Sequence, residues 1–115
     1  MWEVVLLDEV AEWLQSTDED TRVQVAAALD VLEAEGPSLG RPLVDRIKGS
    51  HLHHLKELRP GSSGRSEIRM LFAFDPHRQA LVLVSGDKAG NWDRWYRENI
   101  PVAEQRYEDY VQGEC

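Results

Sequence analysis

The sequence predicts an α+β domain in which a mainly antiparallel, four-stranded sheet packs against two N-terminal helices and a C-terminal helix. The strongest observation is that SEIRMLFAFD (66–75) alternates apolar side chains onto one face, as a strand over a core does. The breaker-rich turn PGSSG separates this segment from LHHLKELR (52–59), and the turn DPHRQ separates it from ALVLVS (80–85). These three segments predict an antiparallel meander, and the helical apolar spacing on both sides of it completes the class.

The N-terminal third predicts one strand and two helices. WEVVLL (2–7) is apolar and β-branched, which favours a strand. DEVAEWLQS (8–16) has its apolar residues at helical spacing, and a capping-box pattern at 17–20 opens a longer helix over about 17–35. Gly36, followed by proline, ends that helix.

The rest of the chain predicts a connection and a closing helix. SLGRPLVDRIKGS (38–50) is interrupted by glycines and a proline and is interpreted as a long connection. Pro101 suits the first turn of a last helix, whose inner side includes Ala103 and Tyr107. With 115 residues, we expect one domain spanning 1–115.

Composition narrows the class of protein. An apolar fraction of 42% with four tryptophans indicates a folded chain, and no apolar run approaches the ~20 residues of a membrane span. The N-terminus lacks the features of a signal peptide, and the single cysteine, Cys115, cannot form a disulfide within one chain. We expect a cytoplasmic protein without a cofactor.

Charge is distributed unevenly along the chain, whose net charge is −8. Residues 1–40 hold ten acids and one base, residues 41–97 hold six acids and eleven bases, and residues 98–115 hold five acids and one base. A net negative protein should bind free RNA weakly, because its remote field repels polyanions. Local binding of one phosphate by the basic middle segment remains compatible with this pattern.

Two arginines are the first candidates for such a site. The parity of the strands places Leu58 in the core and puts Arg59 on the opposite, open face together with Arg69. Two like charges on adjacent strands repel unless an anion lies between them, and a guanidinium matches the oxygens of a phosphate. The alternative is that Arg69 pairs with Glu57 or Glu67 across the sheet.

The segment SGDKAGNWDRWYREN (85–99) interleaves aromatic and basic residues. Lys88, Trp92, Arg94 and Tyr96 in such an arrangement can hold phosphates and stack bases. For Trp92 and Trp95, the preferred interpretation is that they dock the segment onto the sheet.

The histidines of SHLHHL (50–55) suggest two alternatives. His51 and His53 share a face if this segment is a strand, but spacing supplies no third ligand, so we assign no metal site. A proton-carrying role for His53 or His54 fits better, because a histidine pKa lies near ~6.5.

Three motifs resemble the RelE/HigB toxins of bacterial toxin–antitoxin pairs, specifically the phage-derived HigB-like branch of the RelE/ParE superfamily. They are KELR (56–59), IRMLFAF (68–74) and LVLVSGDK (81–88), and their order and spacing after a strand–helix–helix start agree with that family. The resemblance implies a RelE-like fold and a ribosome-dependent mRNA endoribonuclease that a cognate antitoxin blocks. The antitoxin is expected to be a helix-turn-helix DNA-binding protein.

The resemblance also implies roles for particular residues. The catalytic candidates carried over from the family are Arg69, Arg59, Lys88, His54 and Tyr96, and the RNA-binding candidates are His53, Lys56, Trp92 and Arg94. The chain differs from RelE in having Leu55 and Glu57 where RelE has two lysines, and it has one lysine, Lys88, after the third strand.

The implied reaction is attack by the RNA 2′-hydroxyl without a metal. It needs a base, an acid and cations that stabilise charge on the phosphorus, and arginine serves only as the cation because its pKa exceeds ~12. The alternatives are a ParE-like toxin that inhibits DNA gyrase and a non-catalytic phage-derived binding domain.

Overall fold

The computed structural model describes residues 1–61 and 64–113. Within these ranges, five strands form one sheet in the order β1-β5-β4-β3-β2, with three α-helices and one 3₁₀ turn at Gly36–Ser38. In chain order the elements are β1 Glu3–Leu6, α1 Asp8–Ser16, α2 Glu19–Glu35, β2 Val44–Arg46, β3 Lys56–Leu58, β4 Ile68–Phe74, β5 Gln79–Asp87 and α3 Trp92–Gly113. The predicted α+β class is confirmed. The PGSSG turn lies partly, and Cys115 wholly, outside the described residues.

The sheet has one strand more than the four predicted. β2 lies inside the segment interpreted as a connection, and its three residues pair antiparallel with β3, Val44 opposite Leu58. Val44 is buried, and Leu43 and Ile47 beside it pack against the two core clusters, which holds this segment at the sheet edge as a short strand. β1 pairs parallel with β5, while the other strand pairs are antiparallel.

The strand predicted over 52–59 is shorter in the structure. Only Lys56–Leu58 are strand, and the histidines at 51, 53 and 54 lie in the turns and bends that precede it. The backbone N–H of Leu55 donates to the carbonyl of Leu52 at 3.2 Å, which closes a local turn instead of a ladder. The shared strand face predicted for His51 and His53 is therefore wrong.

Two helix starts also differ from the predictions. The N-cap of α2 is Asp18, whose carboxylate accepts from the backbone N–H of Thr21 at 2.8 Å. α3 begins at Trp92, not near Pro101, and Pro101 lies inside the helix. Burial of Trp95, which is 8% exposed, stabilises the added N-terminal turns although proline weakens the helix interior.

The sheet is covered on both faces. On one face, α1 and α2 pack against the alternating residues of β4, which confirms the predicted core parity: Ile68, Met70, Phe72 and Phe74. On the other, α3 packs over a second cluster that contains Leu71, Ala73, Leu81 and Leu83. The expectation of an open face was wrong over most of the sheet, because α3 lies across it. Polar groups gather where α3 begins.

In the described part of the chain, no helix combines the length and the apolar character needed to cross a membrane.

Candidate functional site

The centre of the candidate site is Glu57, the middle residue of β3. Glu57 is 3% exposed, and its side chain points to the face on which α3 begins. Its Oε1 accepts a hydrogen bond from Arg59 Nε at 2.8 Å, and its Oε2 accepts one from the hydroxyl of Tyr96 at 2.6 Å. Arg59 also contacts Asp45 Oδ2 at 3.1 Å. A buried carboxylate thus connects the sheet to α3.

Arg69 approaches the same group of side chains from β4. Its terminal nitrogen donates to the carbonyl of Ile68 at 2.8 Å, while its Nε is buried and without a hydrogen-bond partner. In residues 1–61 and 64–113, no carboxylate oxygen lies within 4 Å of this guanidinium. The predicted alternative, in which Glu57 or Glu67 neutralises Arg69, is wrong because Arg59 and Tyr96 occupy Glu57.

Lys88 supplies a third cation at the end of β5. It is 5% exposed, and its Nζ lies 3.7 Å from the ring centroid of Trp92 and 5.3 Å from that of Tyr96. Burial lowers the pKa of Lys88, and the neighbouring charge of Arg69 lowers it further, partly offset by Glu57. Among the described residues Lys88, like Arg69, has no carboxylate within 4 Å.

Tyr96 completes the group from the second turn of α3. Burial raises the pKa of Tyr96 to about 12, and the hydrogen bond to Glu57 raises it too, whereas Arg69 acts in the opposite direction. The phenol therefore stays protonated near neutral pH and acts as a hydrogen-bond donor to Glu57.

Gly86 allows α3 to come this close to β5. A Cβ built on Gly86 would lie 2.7 Å from the indole nitrogen of Trp95, so any side chain there would push the helix away. Gly86 pairs with Arg69 in the β4–β5 ladder. The close approach at Gly86 therefore sets the distance between the strand cations and α3.

Four of the five predicted catalytic residues belong to this cluster: Arg59, Arg69, Lys88 and Tyr96. The fifth, His54, lies against Tyr107, with ring centroids 5.0 Å apart. Tyr107 is eleven residues beyond Tyr96, which is about 16 Å along a helix. His54 is placed there because residues 51–54 form turns instead of continuing β3.

The four RNA-binding candidates lie at different places in the fold. His53 is exposed in the turn, and Lys56 points to the opposite sheet face, 5.4 Å from the ring centroid of Phe74. Arg94 pairs with Glu98 on the surface of α3 at 3.3 Å. Trp92 is 57% exposed beside Lys88, so the predicted docking role holds for Trp95 but not for Trp92.

Sequence reasoning missed Glu57 as a functional candidate. The sequence alone suggests Glu57 as a partner that neutralises Arg69 and as a difference from RelE, not as a reacting group, although it shares strand parity with Arg59 and faces the same side as Arg69. The sequence pattern that could have identified Glu57 is an acidic residue whose strand parity points it to the same side as two arginines. Within the described ranges, no group of three or more His, Cys, Asp or Glu side chains has an arrangement that could hold a metal ion.

Comparison with known proteins gives the family. The model of the phage-derived Gp49-like proteins (DUF891) matches residues 12–108. The chain belongs to the Gp49-like family. Two relatives from Mycobacterium tuberculosis (strain ATCC 25618 / H37Rv) carry the names "Putative toxin HigB3" and "Putative toxin HigB2".

The relatives also match over most of this Gp49-like chain. HigB3 is 51% identical over 111 residues, covering 96% of the chain and 95% of the relative. HigB2 is 50% identical over 105 residues, covering 91% of the chain and 52% of the relative. The resemblance to HigB-like toxins indicated by the sequence motifs is confirmed.

Proposed function

We propose that this Gp49-like chain is the toxin of a toxin–antitoxin pair and cleaves messenger RNA by attack of a ribose 2′-hydroxyl on the adjacent phosphate. The observation that carries the proposal is a pair of mostly buried cations, Arg69 and Lys88, that have no carboxylate partner among the described residues and lie beside a buried Glu57. Burying charge without a partner is unfavourable, so such a pair favours a site that receives an anion.

The scissile phosphate is the anion that fits these cations. The guanidinium of Arg69 matches two phosphate oxygens, and Lys88 provides a second positive charge. Both would stabilise the extra negative charge that develops on the phosphorus oxygens in the transition state, where such contacts contribute about 2.7–4 kcal/mol each.

Glu57 is the candidate general base. A carboxylate offers about four lone-pair positions, and three are used here, by Tyr96 and by two nitrogens of Arg59. The remaining position on Oε2 is available to accept the proton of the 2′-hydroxyl. Because Arg59 and Tyr96 hold the carboxylate in place, its orientation does not depend on substrate.

Lys88 is the candidate general acid. Its lowered pKa makes proton donation to the leaving 5′-oxygen easier than for an ordinary lysine. The 2′-oxygen forms a bond to phosphorus as the bond to the 5′-oxygen breaks. Glu57 takes the proton of the 2′-hydroxyl, and Lys88 gives a proton to the leaving 5′-oxygen. The products are a 2′,3′-cyclic phosphate and a 5′-hydroxyl.

Dependence on the ribosome is part of the proposal. The net charge of −8 repels free RNA at long range, so the cationic group acts only on RNA that another surface presents to it. The partner antitoxin, proposed to be a helix-turn-helix protein, would inhibit by covering Arg59, Arg69 and Lys88 with acidic side chains.

The decisive experiment maps transcript 5′ ends after brief induction and identifies their chemistry. Wild type should produce new 5′-hydroxyl ends in translated transcripts. Glu57→Gln should lower their yield by about a hundredfold or more, since it removes the base but keeps the side-chain shape.

Asp45→Asn is the matched control, because Asp45 also contacts Arg59 but has no contact with Tyr96. It should retain most cleavage. Full cleavage by Glu57→Gln would refute the assigned base. DNA breaks without transcript fragments in wild type would refute RNA cleavage and favour the gyrase-directed alternative.

A further inference from the structure

A cleft beside the candidate site is not used by the chemistry proposed above. It lies between α3 and the loop after β2, has a volume of about 540 Å³, and continues into a smaller space of about 280 Å³. The two share Lys48, Tyr96 and Ile100 as lining residues, and the smaller space reaches Glu57. The volume lies in the range of small-molecule sites, about 300–1,000 Å³.

The lining of the cleft combines apolar surface with unpaired cations. Ile100 and Pro101 lie along its α3 wall, and Lys48 and Arg97 line its main part. In the described portions of the chain, neither Lys48 nor Arg97 has a carboxylate within 4 Å. Apolar walls with a few cations are the chemistry that accepts a flat base attached to a phosphate.

The loop wall of the cleft is held in place. Glu104 Oε2 accepts hydrogen bonds from the hydroxyl of Ser50 at 2.8 Å and from the backbone N–H of His51 at 2.9 Å. His51 also contacts Glu108 at 2.9 Å. These contacts fix the loop next to Lys48, and they occupy Glu104, which leaves Asp93 as the other acid of the lining.

We propose that this cleft binds the nucleobase of the nucleotide adjacent to the scissile phosphate and thereby sets which base flanks the cut. The inference rests on the proposed RNA cleavage and adds a specificity site to it. The base enters between the α3 wall and the loop, and its phosphate contacts Lys48 and Arg97. The ribose then lies at the inner end, near Glu57.

The test compares a double charge reversal in the cleft with a single charge reversal outside it by mapping cleavage sites. The double variant Lys48→Glu/Arg97→Glu should lower cleavage at the preferred sites by roughly five- to 150-fold and should flatten the base preference at one flanking position. Arg22→Glu is the control, because Arg22 is an exposed residue of α2, which packs on the other face of the sheet, and it is not a lining residue of the cleft. It should leave both rate and preference unchanged.

The outcomes separate the cleft from the cleavage function. Wild type that fragments no transcript refutes RNA cleavage itself and this inference with it. If the wild type cleaves RNA and the double variant keeps the same base preference, the proposed role of the cleft is refuted while RNA cleavage stands. An equal loss of cleavage at all sites is one such result, and it would assign Lys48 and Arg97 to ribosome docking. Unchanged cleavage with weaker inhibition by the antitoxin is another, and it would make the cleft a protein interface.

Direct binding gives a readout besides activity. Titrating the purified wild type with each of the four nucleoside monophosphates should shift nuclear magnetic resonance signals of Lys48, Arg97 and Ile100, most strongly for the preferred base. Shifts confined to Arg69 and Lys88, with none in the cleft, would overturn the inference.

Discussion

Replacing Arg69 by methionine should separate catalysis from stability. The substitution removes the hydrogen bond to the Ile68 carbonyl, which contributes about 1.5–3 kcal/mol for a charged donor. It also removes the buried Nε that has no partner, which costs about 1–3 kcal/mol in the wild type. These two effects nearly cancel, so the free energy of unfolding should change by no more than about 1 kcal/mol, or about 4 °C in Tm.

Cleavage by Arg69→Met should fall far more. The loss of one cation at the phosphate removes about 2.7–4 kcal/mol of transition-state stabilisation, which is about a hundred- to thousandfold in rate. Thermal unfolding and quantification of transcript 5′ ends measure the two effects. Arg22→Met, at an exposed residue of α2 on the other face of the sheet, should change neither. A variant that loses several kcal/mol of stability, or that cleaves at the wild-type rate, would refute the phosphate-binding role.

The remaining predictions concern helix packing and proton affinity. Gly86→Ala should destabilise the protein by about 1–3 kcal/mol in thermal unfolding, since its Cβ would meet the indole of Trp95 at 2.7 Å. Gly40→Ala is the control and should change Tm little, because no atom lies within 4 Å of a Cβ built there. Equal effects of the two substitutions would contradict the packing argument. The pKa of Lys88 is lower in the folded chain than its ordinary value of 10.5, so its charge destabilises the fold below the folded pKa, and this penalty disappears as pH rises toward 10.5. Inorganic phosphate should raise that pKa, as followed by nuclear magnetic resonance of the lysine side chain; no shift with phosphate would argue against an anion site at Arg69 and Lys88.

Period-two alternation made the central strands predictable from the sequence. β4 has apolar side chains at every second residue, and a shift by one residue would expose all of them, so its faces are strongly specified. The same parity correctly placed Leu58 in the core and Arg59 on the side of Arg69. Tertiary context was not needed for these assignments.

The site as a whole could not be predicted, because it depends on contacts between distant segments. Proline at 101 favours a helix start locally, but burial of Trp95 extends α3 back to Trp92 and brings Tyr96 to Glu57, 39 residues away in sequence. A histidine-rich segment looked like the source of proton carriers, whereas the turn closed by Leu55 places it further along α3. Propensity within one segment contains no information on such pairings.

The cost of the cluster argues that it is more than a structural ion-pair network. A network selected for stability would pair each buried charge, since an unpaired one is destabilising. Here Glu57 is paired with Arg59 and Tyr96, while the partnerless Nε of Arg69 and the buried amine of Lys88 remain without carboxylates among the described residues. Functional sites commonly retain groups that cost stability, and an anion at the accessible part of Arg69 and at Lys88 would offset positive charge that the fold leaves without a carboxylate. The arrangement therefore favours a negatively charged substrate over a purely structural role.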